Sequence, residues 1–227
     1  MLHLLHPGCD NPELIIHFRT MNDLYQGILE GLHQMTWLEA VAVFFAVLSV
    51  IFQKNNNILV YPTGIVSTGI YTYLLSREHF KLYADAALNA YYLVMSVYGW
   101  IYWAKKGPEQ PATPVMRSNS KELTTAVFIA LAGWGIFYFL LSRFSDSNVP
   151  VMDAFVSATA CAGMWLLAKR KLENWILLNI SNLVAIPLLL YKHLYLTAGL
   201  TVFLFTIAIF GYLSWRKEVL QREMSHK

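Results

Sequence analysis

Two runs decide the fold: YGWIYWAKK, residues 98–106, and FGYLSWRKE, residues 210–218. Each has an aromatic and a Gly (Tyr98-Gly99, Phe210-Gly211), then an aromatic, two further residues, a Trp (Trp103, Trp215) and basic residues (Lys105-Lys106, Arg216-Lys217). Each also closes a long apolar stretch. Trp at the headgroup level followed by cations in water is how a membrane helix ends on the cytoplasmic side. Two matching exits, about 112 residues apart with an even number of crossings between them, predict a duplicated unit whose halves share one orientation, a transporter-like design. The alternative, that any two membrane helices leave through Trp and Lys, stays open on these runs alone.

Composition agrees with a membrane chain. Of 227 residues, 56% are hydrophobic, 15% aromatic and 14% charged, where soluble domains carry about 25% charged residues. Crossing about 30 Å of hydrocarbon takes about 20 apolar residues. Such runs fall at 37–53, 57–75, 83–104, 122–142, 150–168, 174–191 and 195–215, which makes seven spans. The reading is an all-α integral membrane protein with an N-terminal extension, 1–35, and one membrane domain, 36–227.

The extension lacks a basic start, and Asp10, Glu13, Asp23 and Glu30 interrupt any signal-like core. From Asn11 and Pro12 onward, Leu14, Phe18, Met21, Tyr25, Ile28 and Leu32 recur every three or four residues, the period of an amphipathic helix. Its charged face favours lying in the interface or packing on the bundle over spanning. Cations give the orientation. Twelve Lys and Arg, including Lys54, Lys105, Lys106, Lys169, Arg170, Lys171, Arg216 and Lys217, fall on one face, against Arg19, Arg77, Lys81, Arg143 and Lys192 on the other. The positive-inside rule then puts the C-terminus in the cytoplasm and the N-terminus outside. The net charge of +3 does not imply nucleic acid, because the cations gather at span ends.

The polar stretch GPEQPATPVMRSNSKE, with three prolines, reads as a flexible cytoplasmic connection. Three spans precede it, one solitary span follows, and three more end in the second signature. The architecture is therefore three plus one plus three: a first bundle at 36–106, linker and fourth helix at 107–145, a second bundle at 146–218, and a tail at 219–227. Two odd-numbered bundles share one orientation only if an extra crossing separates them. Glu39-Ala40 mirrors Asp153-Ala154 at a similar offset, whereas Pro62 and Pro187 do not correspond. Each proline can bend its helix.

Polar side chains at membrane depth face a cavity or a partner helix. Asp85 and Asn89 are four apart on one face of the third span, with Tyr92 a turn further and Trp100 beyond. Trp175, Asn179 and Asn182 form one stripe of the sixth span. An indole beside amides suits a flat heteroaromatic ligand, although Asn also serves simply to join helices. Asp85 and Asp153 lie near enough to span ends for interface solvation to explain either. Cys9 and Cys161 form no framework or metal motif, and Cys161 reads as a small packing residue.

These residues bring a family into view. The stretches WLEAVAVFFAVLSVIFQKNNNILVYPTGIVSTGIYTYLL, YADAALNAYYLVMSVYGWIYW and ENWILLNISNLVAIPLLLYKHLYLTAGLTVFLFTIAIFGYLSW resemble the PnuC family of vitamin transporters over about four fifths of the chain. The order YP-x-G, Asn-x-Tyr-Tyr, Tyr-Gly-Trp, Glu-Asn-Trp, Gly-Tyr-x-x-Trp makes the resemblance specific. It implies two three-helix bundles joined by one helix, similar to the SWEET sugar transporters, in a bacterial inner membrane, and a homotrimer. It also implies facilitated diffusion of a vitamin precursor, most often nicotinamide riboside, trapped by cytoplasmic phosphorylation. The family's motif in the sixth helix pairs two tryptophans, three apart, with a following Asn or Asp. Trp175 matches the first and Asn182 is the candidate for the last, while Leu178 stands at the second.

The functional expectation is a passive carrier, with Trp175 stacking on the pyridinium ring and Asn182, Asn179 and Asn89 hydrogen-bonding ribose or carboxamide. Tyr92, Trp100 and Asp85 complete the candidate site, and no metal or cofactor is expected. Thiamine, another cationic heteroaromatic, is the alternative substrate, since aromatic faces attract such cations without a fixed anion. An intramembrane enzyme lacks its signatures here: there is no H-E-x-x-H or G-x-S-x-G, and all seven histidines fall at or beyond span ends. A seven-span receptor is disfavoured by the duplication.

Overall fold

The computed structural model describes residues 25–77, 83–104, 114–145 and 147–225, and these are helical apart from turns and one isolated bridge. The elements are α1 (25–34 as far as described), α2 (Trp37–Lys54), α3 (Val60–Ser76), α4 (Tyr83–Ala104), α5 (Ser120–Phe144), α6 (Pro150–Ala168), α7 (Asn174–Tyr191) and α8 (Tyr195–Ser225). Five of them, α2 and α5 to α8, are long and apolar enough to cross a membrane. Of the other three, α1 lies before the first of these helices, α3 has 17 residues, the short end of the spanning range, and α4 is less apolar because Asp85, Asn89 and a run of Tyr and Trp occupy it.

Local chemistry sets the ends. α2 and α5 open on capping boxes, Thr36 with Glu39 and Asn119 with Glu122, and α6 opens on Pro150, where a missing N–H costs nothing. Pro62 is likewise in the first turn of α3, so it removes no helical bond and the bend expected there has no cause. Three helices close on non-glycine residues at positive φ: Asn56 (54°) after α2, Arg170 (58°) after α6 and His193 (57°) after α7. After each, the next amide reaches back to a carbonyl of the last turn: Asn57 to Phe52, Lys171 to Leu166, Leu194 to Leu189. This is the Schellman closure, in which glycine usually avoids the left-handed strain.

Helix contacts form a ring. α2 packs on α3, α3 on α4, α4 on α6, α6 on α7, α7 on α8 and α8 back on α2, while α5 lies outside against α6 and the edge of α4. Exchanging α2, α3, α4 for α6, α7, α8 maps this set of contacts onto itself. The exchange extends to single bonds. Tyr61 N–H donates to Ile58 as Trp175 N–H donates to Leu172, and 52 pairs with 57 as 166 pairs with 171. Glu39 and Asp153 fall at the same offset.

Two expectations are corrected here. Trp103 and Trp215, read as headgroup anchors, are buried, at 1% and 0% exposure. Their rings lie 6.1 Å apart, and each indole N–H is used inside the protein: Trp103 Nε1 donates to Ala168 O (3.2 Å) and Trp215 Nε1 to Gln53 O (3.1 Å). The 107–122 connection is not flexible throughout. Residues 105–113 lie outside the described set, but Met116 bridges to Lys171, Val115 is buried in the core, and Ser118 donates to Glu173. A short strand pairing and one buried valine hold it against the α6–α7 turn.

α8 continues to Ser225, through the segment read as a tail, with Val219 buried. Of the expected amphipathic helix, 11–24 lie outside the described residues. Its remainder packs on the bundle, with Gly27 under the Tyr195 ring and Gly31 under Leu196.

Glycines carry the tightest contacts. A Cβ on Gly99 would come within 2.3 Å of the Tyr61 ring, and one on Gly211 within 2.5 Å of the Trp175 ring, whereas Gly69 and Gly135 face open space. Overpacking costs about 1 to 3 kcal/mol. Gly99→Ala and Gly211→Ala should therefore each lower the thermal midpoint of the detergent-purified protein by several degrees. Gly69→Ala and Gly135→Ala should leave it unchanged or slightly raised.

Candidate substrate site

The turn entering α7 carries Glu173, Asn174 and Trp175, and each side chain fixes a different neighbour. Glu173 accepts from the Ser118 backbone N–H (2.8 Å) and hydroxyl (2.6 Å), which docks the connection. Asn174, fully buried, accepts from Gln53 Nε2 at 2.9 Å and donates to Lys171 O at 2.6 Å. Trp175, also fully buried, lies over Gly211 and meets Trp215 edge to face at 5.6 Å. Tyr61 repeats this in the other half: it lies over Gly99 and meets Trp103 edge to face at 5.0 Å. Four rings thus run Tyr61, Trp103, Trp215, Trp175.

The symmetry fails at the polar tips. Tyr61 Oη donates to Leu167 O at 3.4 Å, but Trp175 Nε1 is buried with no hydrogen-bond partner among the described residues. One turn along α7, Asn179 Oδ1 is also buried without a partner. No other buried side-chain polar atom among the described residues lacks a partner. An orphaned buried group costs about 1 to 3 kcal/mol. A donor and an acceptor on residues about 6 Å apart along the axis suit a ligand offering both an acceptor and a donor.

The remaining candidates are distributed. Asn182 is half-buried on the α7 face of Trp175 and Asn179. On α4, Asn89 is half-buried and donates to its own helix at Asp85 O (2.9 Å). Tyr92 packs with Tyr91 on the Phe137, Leu141, Ala158 and Cys161 cluster. Trp100 is 43% exposed. Asp85, at the start of α4, is within electrostatic reach of Asp153 and Lys192, which pair with each other at the end of the ring opposite the four aromatics. No hydrogen bond or ring contact among the described residues joins the α7 group to the α4 group. Cys161 is buried, and its carbonyl accepts from Tyr91 Oη at 3.0 Å.

Two grooves adjoin this region. One of about 280 Å³ lies between α7 and α8, with Asn179 and Tyr212 among Ile176, Ile180, Leu183, Phe205 and other apolar groups. The other, about 340 Å³, lies at the aromatic end beside Asn55, Asn56, Trp103 and Arg170. There Arg170 stacks on Trp103 at 4.1 Å and donates through Nε to Asn56 Oδ1 at 2.7 Å, while Asn56 Nδ2 donates to Glu218 at 2.9 Å. Burial draws the Arg170 guanidinium below its ordinary range, with Tyr61 and Glu218 opposing that shift.

The sequence reading missed Tyr61, Asn174 and the Asn56–Arg170 pair. A signal for Tyr61 and the Asn56–Arg170 pair lay in the repeat once the halves are aligned at an offset of 114 rather than the 112 between Trp103 and Trp215, which sets Asn56 against Arg170 and Tyr61 against Trp175; Asn174 aligns with Val60 and has no such signal.

Comparisons with known proteins bear on the family and the fold. A nicotinamide riboside transporter PnuC of Neisseria mucosa (strain ATCC 25996 / DSM 4631 / NCTC 10774 / M26) is 24% identical over 205 residues, covering 81% of this chain and 73% of that protein. The nicotinamide riboside transporter PnuC of Escherichia coli (strain K12) is 21% identical over 224 residues, covering 86% and 93%. A crystal structure of the vitamin B3 transporter PnuC shares the fold with a TM-score of 0.65 at 22% identity, over 89% of this chain and 90% of that one. The model of the nicotinamide mononucleotide transporter family matches residues 36–217, and the chain belongs to that family of membrane transporters.

Proposed function

We propose that the protein carries nicotinamide riboside across the membrane by facilitated diffusion. The observation that carries this is the orphaned pair on α7, Trp175 Nε1 and Asn179 Oδ1. A nicotinamide carboxamide offers a carbonyl to the first and an N–H to the second. The pyridinium ring is then beside an aromatic stripe that attracts cations, and Asn182 is placed for the ribose.

The family's description names the mononucleotide and the relatives' names say riboside; charge favours the riboside. None of the seven apolar segments contains Lys, Arg or His. A phosphate at membrane depth would lack the cationic partner that such sites need, whereas a ligand with a positive ring and neutral ribose needs none. The remainder of the reading is a three plus one plus three arrangement of seven spans, with the aromatic end and the C-terminus in the cytoplasm. It includes a bacterial inner membrane location, phosphorylation as the trap and a homotrimer, the last three on family resemblance alone.

Losing a buried indole donor to the ligand is worth about 1 to 3 kcal/mol, about ten- to a hundredfold in affinity. Trp175→Ala should weaken riboside binding by that factor in calorimetry on purified protein, and Trp175→Phe should recover part of the loss. Nicotinic acid riboside, which replaces the amide N–H donor with a carboxylate, and the mononucleotide should both bind at least tenfold more weakly than the riboside. Parent-like binding by Trp175→Ala, or equal binding of the three compounds, would refute the site. Thiamine outcompeting the riboside would move the substrate but not the transport reading.

Coupling and orientation have separate tests. The acids nearest the membrane interior, Asp85 and Asp153, are in first turns of α4 and α6, not at the midplane where coupling ions bind. Proteoliposomes should therefore equilibrate labelled riboside without a proton or sodium gradient, and accumulation driven by an imposed gradient would count against uncoupled transport. Alkaline phosphatase fused at the C-terminus should be inactive in intact cells; an active fusion reverses the orientation.

A further inference from the structure

We propose that the aromatic end of the ring is a lock that closes the cytoplasmic side of the transport path, made by each half gripping the backbone of the other. This rests on the transport reading above. Taking α2 to α4 as one half and α6 to α8 as the other, the side-chain bonds between them crowd at one end. Trp103 reaches Ala168 O, Tyr61 reaches Leu167 O, Trp215 reaches Gln53 O, and Gln53 reaches Asn174. Arg170 and Asn56 join across the same gap, and Asn56 extends the chain to Glu218. Away from this end, Tyr91 also reaches across to Cys161 O.

The opposite end is built differently. There Asp153 bonds Lys192 and Ser147, and His193 bonds Tyr195, all within the second half and the loop before it. A carrier exposes its site to each side in turn, so an end where both halves are tied together is a closed end, and opening it requires these bonds to part together. The donors suit that role. Both tryptophans hold backbone carbonyls at helix C-termini, so separating the halves changes the pairing of two helix ends without unwinding either helix.

The site and the lock share a ring contact. Trp175 abuts Trp215 at 5.6 Å, and Trp215 holds Gln53 O. A ligand engaging Trp175 therefore displaces the neighbour on which one of the cross-bonds hangs. In this role Trp215 is a positioning residue, acting through Trp175 and Gln53.

Two measurements test the lock. In a chain carrying Cys9→Ser and Cys161→Ala, Asn56→Cys with Arg170→Cys is bridged by a short bis-methanethiosulfonate reagent, which forms a disulfide with each thiol, releases methanesulfinate and is reversible by reduction. Riboside counterflow in proteoliposomes should fall at least tenfold and return on reduction, while riboside binding to the bridged protein stays within about threefold. Counterflow persisting in fully bridged protein would overturn the proposal. The second measurement needs no substrate. In the same background, Gln53→Cys is labelled with a membrane-impermeant maleimide in inside-out vesicles, with and without Trp215→Phe, which keeps the ring and deletes the donor. Labelling should quicken at least fivefold with the donor gone. An unchanged rate would reject the lock even if the double-cysteine chain failed to fold. Absence of riboside binding by the parent would instead overturn the substrate reading and leave the labelling result to stand alone.

Discussion

A helix that ends inside a protein leaves its last carbonyls without helical donors, and away from water each needs a partner. At the ends of α2 and α6, the Schellman amides serve the carbonyls of Phe52, Gln53, Leu166 and Leu167, and indoles from the opposite half serve Gln53 again and Ala168. The two tryptophans must therefore be buried, their rings must approach each other, and α4 and α8 must lie within reach of the helix ends they supply. The contact of α4 with α6 and of α8 with α2, which closes the ring, follows from the same requirement. Glycines at 99 and 211 then let Tyr61 and Trp175 close over the faces left between helices.

Symmetry of this kind separates structure from function. Where both halves do the same thing, as in the paired turns, the paired glycines and the crossed indoles, a packing role accounts for the residues. Where they differ, packing is not the whole account. Tyr61 and Trp175 occupy the same place in the two halves, yet among the described residues Tyr61 has a carbonyl for its hydroxyl and Trp175 has no partner for its indole N–H. Asn56 and Arg170 also occupy matching turns, but one is a short amide and the other a long cation that stacks on Trp103. Left-handed backbone at an arginine costs about 1 to 2 kcal/mol, which the two bonds to Asn56 and the ring contact offset.

Helix limits were legible in the sequence where they follow from apolar run length, a local feature. The expected runs at 37–53, 83–104, 150–168 and 174–191 meet the observed helices to within a residue. What sequence reasoning misplaced is non-local. Trp followed by cations describes an interface anchor just as well as an indole turned inward to a carbonyl 65 residues away. A proline-rich connection gives no sign that Val115 will find a buried slot, since the slot is made by α6 and α7. The Glu173-Asn174-Trp175 triplet was visible as a motif, but only the fold shows that its first two members hold the linker and Gln53, leaving the third as the one with an unused polar atom.

Charge decides what such an interior can pass. An ion at membrane depth costs several kcal/mol unless a partner or aromatic face stabilises it, and the cations of this chain stand at helix ends, where Lys171 pairs with Glu122 and Lys192 with Asp153. What remains inside is aromatic rings, amides and hydroxyls. Rings present their negative faces to a cation and offer nothing to a phosphate, so an interior of this composition admits a flat positive ring and discriminates against the same ring once phosphorylated. Under the proposed reading a carrier built this way moves its substrate down the substrate's own gradient and needs no ion gradient. We propose that phosphorylation in the cell keeps the substrate's gradient in place, because the product would not fit the path by which the substrate entered.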